Sequence, residues 1–496
     1  MVKFEHLTIW HYLSVLFFSL LVVMASDLSF TWLVLLLMSL FLVSSSFWAK
    51  DIKLVLFFGF VFASSINITK ALIVEGGIYT PGLSISLFDI FLMPLLFLWI
   101  LEKKLFSGEK IYWSKLHFFP LLFLLWLWIS VSYSEDKFAG FLMCISYTKF
   151  FIIYVFICDY VSSPKHLRIM LYAVALALLA HFSLAFLEII FSGQISVQGT
   201  KTTTTGVNLV FENAGGVHAF RPSGFAGHPN AFADLLVFVL PVCLALLITG
   251  QKYIGRAVWL ATAALFVAGG VFLLLTLSRA GWISFAAACV YLLYFGNKKG
   301  IVPRRYINRL ILVSVVSGVL AVLIYPTVYL RITESDQRSS ESRIAMMHQS
   351  ALIIQRNPVM GVGIAGYNRA ARANIPEYFS NLNQWFQAEL LKGIVHNKYL
   401  LVMSETGTIG LVLFLLTLWR FVSLVPKSDF WTEPVYLALA LGISAGIFGQ
   451  TVFYLFDHFY SDPRITMMYI YFGILTAIVK LQSMHKRSLK EASVCD

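Results

Sequence analysis

Two arginines in the second half of the chain are placed to bind an anion. Arg279 lies in the short turn Leu277-Ser278-Arg279-Ala280-Gly281-Trp282 between two apolar runs, and Arg343 follows the polar stretch Ser339-Ser340-Glu341-Ser342. A guanidinium binds a phosphate through two parallel hydrogen bonds, so both residues are candidates for gripping a phosphate group. An arginine at the position of Arg279 can also serve only to snorkel to a membrane surface, and this alternative stays open.

His396 is the candidate general base. It opens the segment His396-Asn397-Lys398-Tyr399-Leu400 at the start of another apolar run, and Glu405 follows about two turns further in. A neutral imidazole can accept a proton near physiological pH, and an ionisable residue at membrane depth is usually functional. A lone histidine more often caps a helix or lies at an interface. Its place directly after an arginine-rich segment favours a catalytic role, with Asn397 and Glu405 as substrate-binding candidates.

A third polar cluster runs from Phe220 to Asn230 and precedes an apolar run. Its candidate substrate-binding residues are Arg221, His228 and Asn230. For His228, the interpretation as an interfacial cap is favoured over the interpretation as a ligand.

The composition identifies the elements that must position these residues. The 496 residues are 59% hydrophobic and only 12% charged, whereas an average soluble domain has about 25% charged residues. This excludes a water-soluble globule, a disordered chain, a collagen and a disulfide scaffold. The five cysteines form no CxxC pair and lie mostly in apolar runs, so we interpret them as core residues rather than metal ligands. The predicted fold class is an all-α polytopic membrane protein.

About fourteen spans are predicted, because a crossing helix needs about 20 apolar residues. They cover approximately residues 8–25, 30–47, 54–68, 83–101, 117–133, 138–158, 169–191, 231–249, 257–276, 280–296, 309–328, 398–422, 432–454 and 465–483.

The distribution of Lys and Arg predicts the orientation. These residues concentrate in alternate loops, such as Lys103 to Lys115 and Lys298 to Arg309, which we assign to the cytoplasm. The same rule accounts for the net charge of +12 without a nucleic-acid partner. The first apolar run has no small-residue cleavage site, so we expect a retained helix. An even number of spans then places both termini in the cytoplasm.

These expectations divide the chain into six parts. They are N-terminal spans at 1–191, an outer loop with Arg221 at 192–230, spans with the Arg279 turn at 231–326, a long outer loop at 327–397, C-terminal spans at 398–483 and a cytoplasmic tail at 484–496.

The long outer loop contains three predicted features. A helix beginning near Ser339 should end near Asn357-Pro358, because proline disfavours helix in the residue before it, and Arg343 should lie in its first turn. Gly361-Val362-Gly363-Ile364-Ala365-Gly366 has the spacing of a dinucleotide fingerprint but no preceding strand. We interpret it as a flexible turn that brings backbone close to a neighbour. An amphipathic helix at Tyr378–Lys392 is expected along the membrane surface.

Acidic residues are few, and they suggest structural roles. The chain has no Asp-x-Asp, and we interpret Glu334-Ser335-Asp336 as solvated charge. Asp89, Lys149 and Glu188 fall within predicted spans, where we expect them to pair inside the bundle. A reaction that builds negative charge on a leaving group would then depend on fixed guanidiniums rather than on a divalent metal cation.

The polar motifs occur in a definite order over roughly residues 215–475. Arg-x-x-Gly-x-x-x-His-Pro-Asn begins at Arg221, and Ser-Arg-x-x-Trp begins at Ser278. They are followed by Arg343, by Asn357-Pro358-x-x-Gly361-x-Gly363, and by His396-Asn397-x-x-Leu400-x-x-x-x-Glu405-x-Gly407. This ordered set resembles the O-antigen ligase family, whose relatives are the O-antigen and exopolysaccharide polymerases and the bacterial protein O-oligosaccharyltransferases.

The resemblance implies a C-type glycosyltransferase fold with a periplasmic loop over the active site, and neither a metal nor another cofactor. It implies that Arg279 and Arg343 grip a diphosphate and that His396 is catalytic, with Arg221 ranked lower. The implied donor is a glycan on undecaprenyl diphosphate, and the implied acceptor is the lipid A core or another glycan. The implied location is the bacterial inner membrane, with the site on the periplasmic side.

Three alternatives to a ligase stay open. They are a repeat-unit polymerase, a protein O-oligosaccharyltransferase and, from a different class, a lipid-glycan transporter. Transport is disfavoured because the two halves of the chain do not repeat and the polar residues gather at one face.

Overall fold

The computed structural model describes residues 51–71, 84–103, 108–191, 210–212, 218–302, 304, 308, 326–333, 337–375, 387, 390–391, 393–425, 430–458 and 462–495. Most of these residues are helical. The helices are α1 Ile52–Ala63, α2 Leu87–Leu101, α3 Phe118–Val131, α4 Lys137–Tyr160, α5 Pro164–Ile190, α6 Pro229–Thr249, α7 Gln251–Ile254, α8 Arg256–Leu275, α9 Arg279–Lys298, α10 Pro326–Thr333, α11 Gln337–Arg356, α12 Tyr367–Ala373, α13 Lys398–Val422, α14 Pro434–Phe453 and α15 Asp462–Cys495.

Eight helices in the described part of the chain are long and apolar enough to cross a membrane, namely α4, α5, α6, α8, α9, α13, α14 and most of α15. They coincide with eight of the predicted spans. Three shorter apolar helices, at 52–63, 87–101 and 115–131, lie where three more spans are predicted. The predicted spans 8–25 and 30–47, and most of 309–328, lie outside the described residues, so the total of fourteen stays a prediction.

Among the residues that the structure describes, two short β-hairpins interrupt the helical architecture, which the sequence did not predict. β1 (Thr69–Ala71) pairs antiparallel with β2 (Ser84–Ser86), and β3 (Val210–Glu212) pairs antiparallel with β4 (His218–Phe220). Strands of three residues are too short to show a period-two pattern in an apolar chain. β4 ends directly before Arg221, so the second hairpin helps to position the backbone of Arg221.

α6 lies at the centre of the bundle and is buried along almost its whole length. It packs against α8, α9 and α14. Glycines of α14 permit a close approach, because a Cβ at Gly446 would lie 2.7 Å from the carbonyl oxygen of Phe238. Small residues at such crossings are how helices in membranes gain dispersion contacts. The central helix therefore provides a rigid support for the residues at its N-terminus.

α13 is broken at Gly407, where φ is +67°. The break is filled by the glycine loop, which we define as Pro358–Gly366. The backbone N–H groups of Val362 and Gly363 donate to the carbonyls of Ser404 and Glu405 at 2.9 and 2.8 Å. In return, Thr408 N–H donates to the Pro358 carbonyl at 2.9 Å. The loop therefore supplies the hydrogen bonds that the interrupted helix loses.

The other side of the glycine loop docks on the connection between α3 and α4. Ser130 Oγ accepts from Ile364 N–H at 3.2 Å, and Ser134 Oγ donates to the Ile364 carbonyl at 2.9 Å. A Cβ at Gly363, where φ is +85°, would lie 2.2 Å from Ser134 Cα. The close backbone approach predicted for the Gly-x-Gly-x-x-Gly sequence is thus confirmed, and no strand precedes it.

Helix α11 agrees with the sequence at its end but not at its start. It ends at Arg356, next to the predicted stop at Asn357-Pro358. It already runs from Gln337, which places Arg343 in the second turn, so the prediction of the first turn was wrong. The polar residues before Arg343 are therefore part of the helix rather than its cap. The amphipathic helix predicted at Tyr378–Lys392 lies largely outside the described residues.

Replacing Gly407 by alanine should lower the free energy of unfolding by about 2 kcal/mol or more, because a positive φ is costly for a residue with a Cβ. That Cβ would also lie 2.0 Å from the carbonyl oxygen of Val359. Thermal unfolding of the purified protein in detergent measures the effect. The matched control is Gly270→Ala in α8, where a Cβ meets nothing within 4 Å. A midpoint for Gly407→Ala equal to that of the control would contradict this account of the break.

Candidate active site

The segment that carries Arg221 is held by a buried glutamate. Glu188, near the end of α5, accepts hydrogen bonds from Ser223 N–H at 2.8 Å, Ser223 Oγ at 2.9 Å and Gly224 N–H at 2.9 Å. Gly224 has a φ of +50° and passes close to the carbonyl of His181. The partner that Glu188 was expected to have inside the bundle is therefore the Ser223-Gly224 segment. Asp89 and Lys149 pair with each other at 3.3 Å, as predicted.

The guanidinium of Arg221 joins two other elements. Its Nη2 donates to Asn230 Oδ1 at 2.9 Å, and its Nε donates to the carbonyl of Thr276 at 2.7 Å. His228 is the N-cap of α6, and its Nδ1 accepts from Asn230 N–H at 3.1 Å. The interpretation of His228 as a cap is thus confirmed. Arg221, His228 and Asn230 form one connected group at the start of the central helix.

The turn that carries Arg279 is held from both sides by arginines. Arg221 bonds to the Thr276 carbonyl, and Arg331 Nε donates to the Leu277 carbonyl at 3.1 Å. Leu277 is fully buried with a φ of +50°, and Ser278 caps α9 by accepting from Gly281 N–H at 3.3 Å. Arg279 is the first residue of α9 and is only partly buried. It is presented at a helix N-terminus, where an anion is favoured.

Arg343 reaches the same region from α11. This helix packs on α13, and Ser350 is hydrogen-bonded to Ser404 across the interface at 2.8 Å. Desolvation, followed by repulsion from Arg331 and Arg343, lowers the pKa of Arg221 to about 9. Arg221, Arg331 and Arg343 therefore share one electrostatic environment around the Arg279 turn. We call these four residues the arginine cluster, and an anion among them would relieve their repulsion.

His396 is positioned by the docking of α13 onto the end of α14. Asn397 caps α13 by accepting from Leu400 N–H at 3.0 Å, and its Nδ2 donates to the Leu455 carbonyl at 3.1 Å. Next to it, Lys398 N–H donates to the Tyr454 carbonyl at 2.8 Å. The structure thus gives Asn397 a capping role. Its predicted contact with substrate stays a prediction.

Asp457 and His458 lie beside His396. His396 Nδ1 is 3.7 Å from Asp457 Oδ1, which is an ion-pair distance when the ring is protonated. The rings of His396 and His458 have centroids 5.1 Å apart. Burial alone would raise the pKa of Asp457, but its interactions with His396, His458 and Arg464 hold that pKa well below its usual range. An ionised carboxylate therefore faces the ring of the candidate base.

His228 connects the histidine group to the arginine cluster. Desolvation, followed by the charges of Arg221 and Arg464, lowers the pKa of His228 to about 3, and His396 acts in the same direction. Desolvation likewise lowers the pKa of His458 to about 3. Both rings are therefore neutral at physiological pH. His228 is close to Arg221, to which Asn230 links it, and within electrostatic reach of His396.

Glu405 lies further along α13 than His396. It is buried two turns into α13 beside the Gly407 break, where its carbonyl accepts from the glycine loop. Its carboxylate interacts electrostatically with the buried Lys398. These contacts give Glu405 a positioning role in the glycine loop, and its predicted contact with substrate stays a prediction.

Sequence reasoning did not single out Arg331, Asp457, His458 or Arg464. Arg331 is one of six arginines in the long outer loop, and nothing local distinguishes it from the others. Asp457 and His458 carried a weak signal, because an adjacent acid and imidazole stand at the end of a span in a loop without positive charge. Only the fold brings them to His396, which is about 60 residues earlier in the chain.

The fold and site define a polytopic helical membrane protein with a basic, histidine-containing site at one end of its bundle. Residues 263–415 match the family model described as O-antigen ligase. This match supports the O-antigen ligase family for the chain and confirms the resemblance drawn from the motifs. No curated protein gives a significant match.

The matched residues include Arg279, Arg331, Arg343 and His396, whereas Arg221 precedes them and Asp457 follows them. The family supports a ligase- or polymerase-type enzyme of surface polysaccharide biosynthesis in a bacterial membrane.

Replacing Glu188 by glutamine should lower the free energy of unfolding by about 1–3 kcal/mol, because an amide cannot accept all three hydrogen bonds and turns a donor toward buried N–H groups. Thermal unfolding in detergent provides the measurement. Glu341→Gln, at an exposed position of α11, is the matched control and should change little. Equal midpoints for the two variants would show that Glu188 does not hold the Arg221 segment.

Proposed function

We propose that this protein is a metal-independent glycosyltransferase that moves a glycan from undecaprenyl diphosphate to an acceptor hydroxyl, in the manner of an O-antigen ligase. The observation that carries the proposal is the meeting of the arginine cluster with the histidine group through His228. One group is suited to a diphosphate, and the other is suited to a hydroxyl.

The arginine cluster would bind the diphosphate of the donor. When the bond between the anomeric carbon and the phosphate oxygen breaks, negative charge develops on the leaving diphosphate. Arg279 at a helix N-terminus and Arg343 on α11 would neutralise that charge without a divalent cation. Arg221 and Arg331 would hold the Arg279 turn in place through its carbonyls, and Arg221 would also contribute to binding.

His396 would remove the proton from the attacking hydroxyl. Its Nδ1 faces Asp457, which leaves Nε2 for the acceptor. The acceptor oxygen forms the new bond to the anomeric carbon while its proton passes to Nε2, and undecaprenyl diphosphate departs. Asp457, as an ionised carboxylate, would stabilise the imidazolium that results. The histidine therefore needs no further base.

The orientation follows from the substrate and from the charge pattern of the loops. We place the site on the periplasmic side of the inner membrane, with both termini cytoplasmic, because Lys and Arg concentrate on the opposite side of the predicted spans. The lipid A core is the proposed acceptor of a finished glycan. Transfer to a second lipid-linked glycan would instead define a repeat-unit polymerase.

Purified protein should transfer glycan from undecaprenyl diphosphate in the presence of EDTA, and Arg343→Ala and His396→Ala should each reduce the rate by about 10²-fold or more. Separate reactions contain lipid A core, a lipid-linked glycan or a protein as the acceptor, and their products are separated on gels. The acceptor that gains mass separates the ligase from the polymerase and the protein transferase.

The matched controls for this assay are Arg356→Ala, at the exposed end of α11, and His485→Ala, at the far end of α15. Both should retain the wild-type rate. Full activity of His396→Ala would remove the proposed base, and loss of all wild-type transfer in EDTA would refute metal independence.

Direct attack by the acceptor in one displacement should invert the anomeric configuration of the transferred sugar. The glycosidic linkage of the donor and that of the product are compared by the anomeric coupling constants in NMR spectra. A retained configuration would exclude direct inverting attack and, with it, His396 as the base of such a single-step reaction.

A further inference from the structure

The group formed by His396, Asp457 and His458 has the composition of a transition-metal site. Each residue offers one ligand atom, and these three atoms lie within 4.8 Å of one another. The ligand atoms are two imidazole nitrogens and a carboxylate oxygen. Zinc accepts such a set, whereas magnesium and calcium prefer oxygen ligands alone.

The spacing is close to what a tetrahedral ion needs. Ligands at normal zinc distances are about 3.3 Å apart in a tetrahedral site. His396 Nδ1 and Asp457 Oδ1 are already 3.7 Å apart. Closing the remaining distances requires side-chain movements of about 1 Å or less, which rotation of the His396 and His458 rings can supply.

The backbone around the three residues is fixed from both sides. Lys398 N–H bonds to the Tyr454 carbonyl, and Asn397 Nδ2 bonds to the Leu455 carbonyl. Asp457 Oδ1 accepts from the backbone N–H of His458 at 2.8 Å, which orients the carboxylate. Two fixed segments therefore present the ligands before any ion arrives, and this preorganisation favours binding.

One side of the group is open. The His396 side chain is 30% exposed, whereas the Asp457 side chain is 9% exposed. An ion could therefore enter from the side of His396 and keep a water molecule as its fourth ligand. Arg464 acts on the same carboxylate. Its positive charge opposes a cation, so we expect micromolar rather than nanomolar affinity.

We propose that His396, Asp457 and His458 form a binding site for Zn²⁺ and that occupation of this site inhibits the enzyme. The inhibition rests on the proposed function of His396 as the general base. A neutral ring that donates its Nδ1 lone pair to a metal ion carries its one proton on Nε2, so Nε2 has no lone pair left to accept the proton of the acceptor hydroxyl. The ion would also consume the negative charge of Asp457 that stabilises the imidazolium.

Metal binding is tested on the purified chain without any transfer reaction. Protein treated with EDTA and then freed of it is titrated with Co²⁺, whose visible absorption reports a tetrahedral site, and Zn²⁺ is used to displace it. One ion per chain is expected. His458→Gln and Asp457→Asn should each weaken binding by about 10-fold or more, and His485→Gln, on the distant end of α15, should bind like the wild type.

Two results would overturn the site. One is the absence of a tetrahedral Co²⁺ spectrum for wild-type protein at submillimolar metal, and the other is equal binding by wild type, His458→Gln and Asp457→Asn. Thermal unfolding with and without Zn²⁺ is a second measurement, because a ligand that binds the folded state raises the unfolding midpoint. The wild-type titration decides the question even if both variants fail to fold.

Inhibition is measured separately. Zn²⁺ should reduce the transfer rate of wild-type protein at the concentration that displaces Co²⁺, and EDTA should restore it. Binding without inhibition would refute the regulatory part of the proposal and the role of His396 as base, while the metal site would stand. Inactivity of the wild type in EDTA together with normal Co²⁺ binding would count against the proposed function and not against the site.

Discussion

The repair of the break in α13 is the constraint on which the rest of the site depends. A helix interrupted at Gly407 leaves backbone carbonyls and an N–H without partners, which is costly at membrane depth. The glycine loop satisfies them, and in doing so it is fixed between α13 and the α3–α4 connection. Since the loop follows α11 directly, the same hydrogen bonds fix the C-terminal end of the helix that carries Arg343.

The arginine cluster is held by a different principle. Guanidiniums that share a buried region are costly, because desolvation, followed by repulsion from Arg331 and Arg343, lowers the pKa of Arg221. The fold offsets the cost with backbone acceptors, because the Thr276 and Leu277 carbonyls each take a hydrogen bond from an arginine. Glu188 contributes indirectly by fixing the segment after Arg221. Arginines held by backbone carbonyls in this way are preorganised before a ligand arrives.

The sequence predicted the helices well because long apolar runs have few alternatives in a membrane. It also predicted that Arg221, Arg279, Arg343 and His396 belong together, through the order of their motifs. It could not predict Arg331 or Asp457, since their roles arise from contacts between distant elements. Nothing in the sequence indicated that Glu405 lies beside a helix break, because the glycine loop that fills the break comes from a distant part of the chain.

The two halves of the site differ in how they are anchored, and this difference suits their tasks. The diphosphate of the proposed lipid donor is a large charge. The turn that carries Arg279 is held for it by Arg221 and Arg331, which are tied to the buried Thr276 and Leu277 carbonyls. The proton of an acceptor hydroxyl must be taken and later released. His396 is accordingly held by its neighbour Asn397 at a helix start, while its ring contacts Asp457 at a distance that can shorten when the ring becomes charged. Under the proposed function, the rigid half would bind the donor and the adjustable half would transfer the proton.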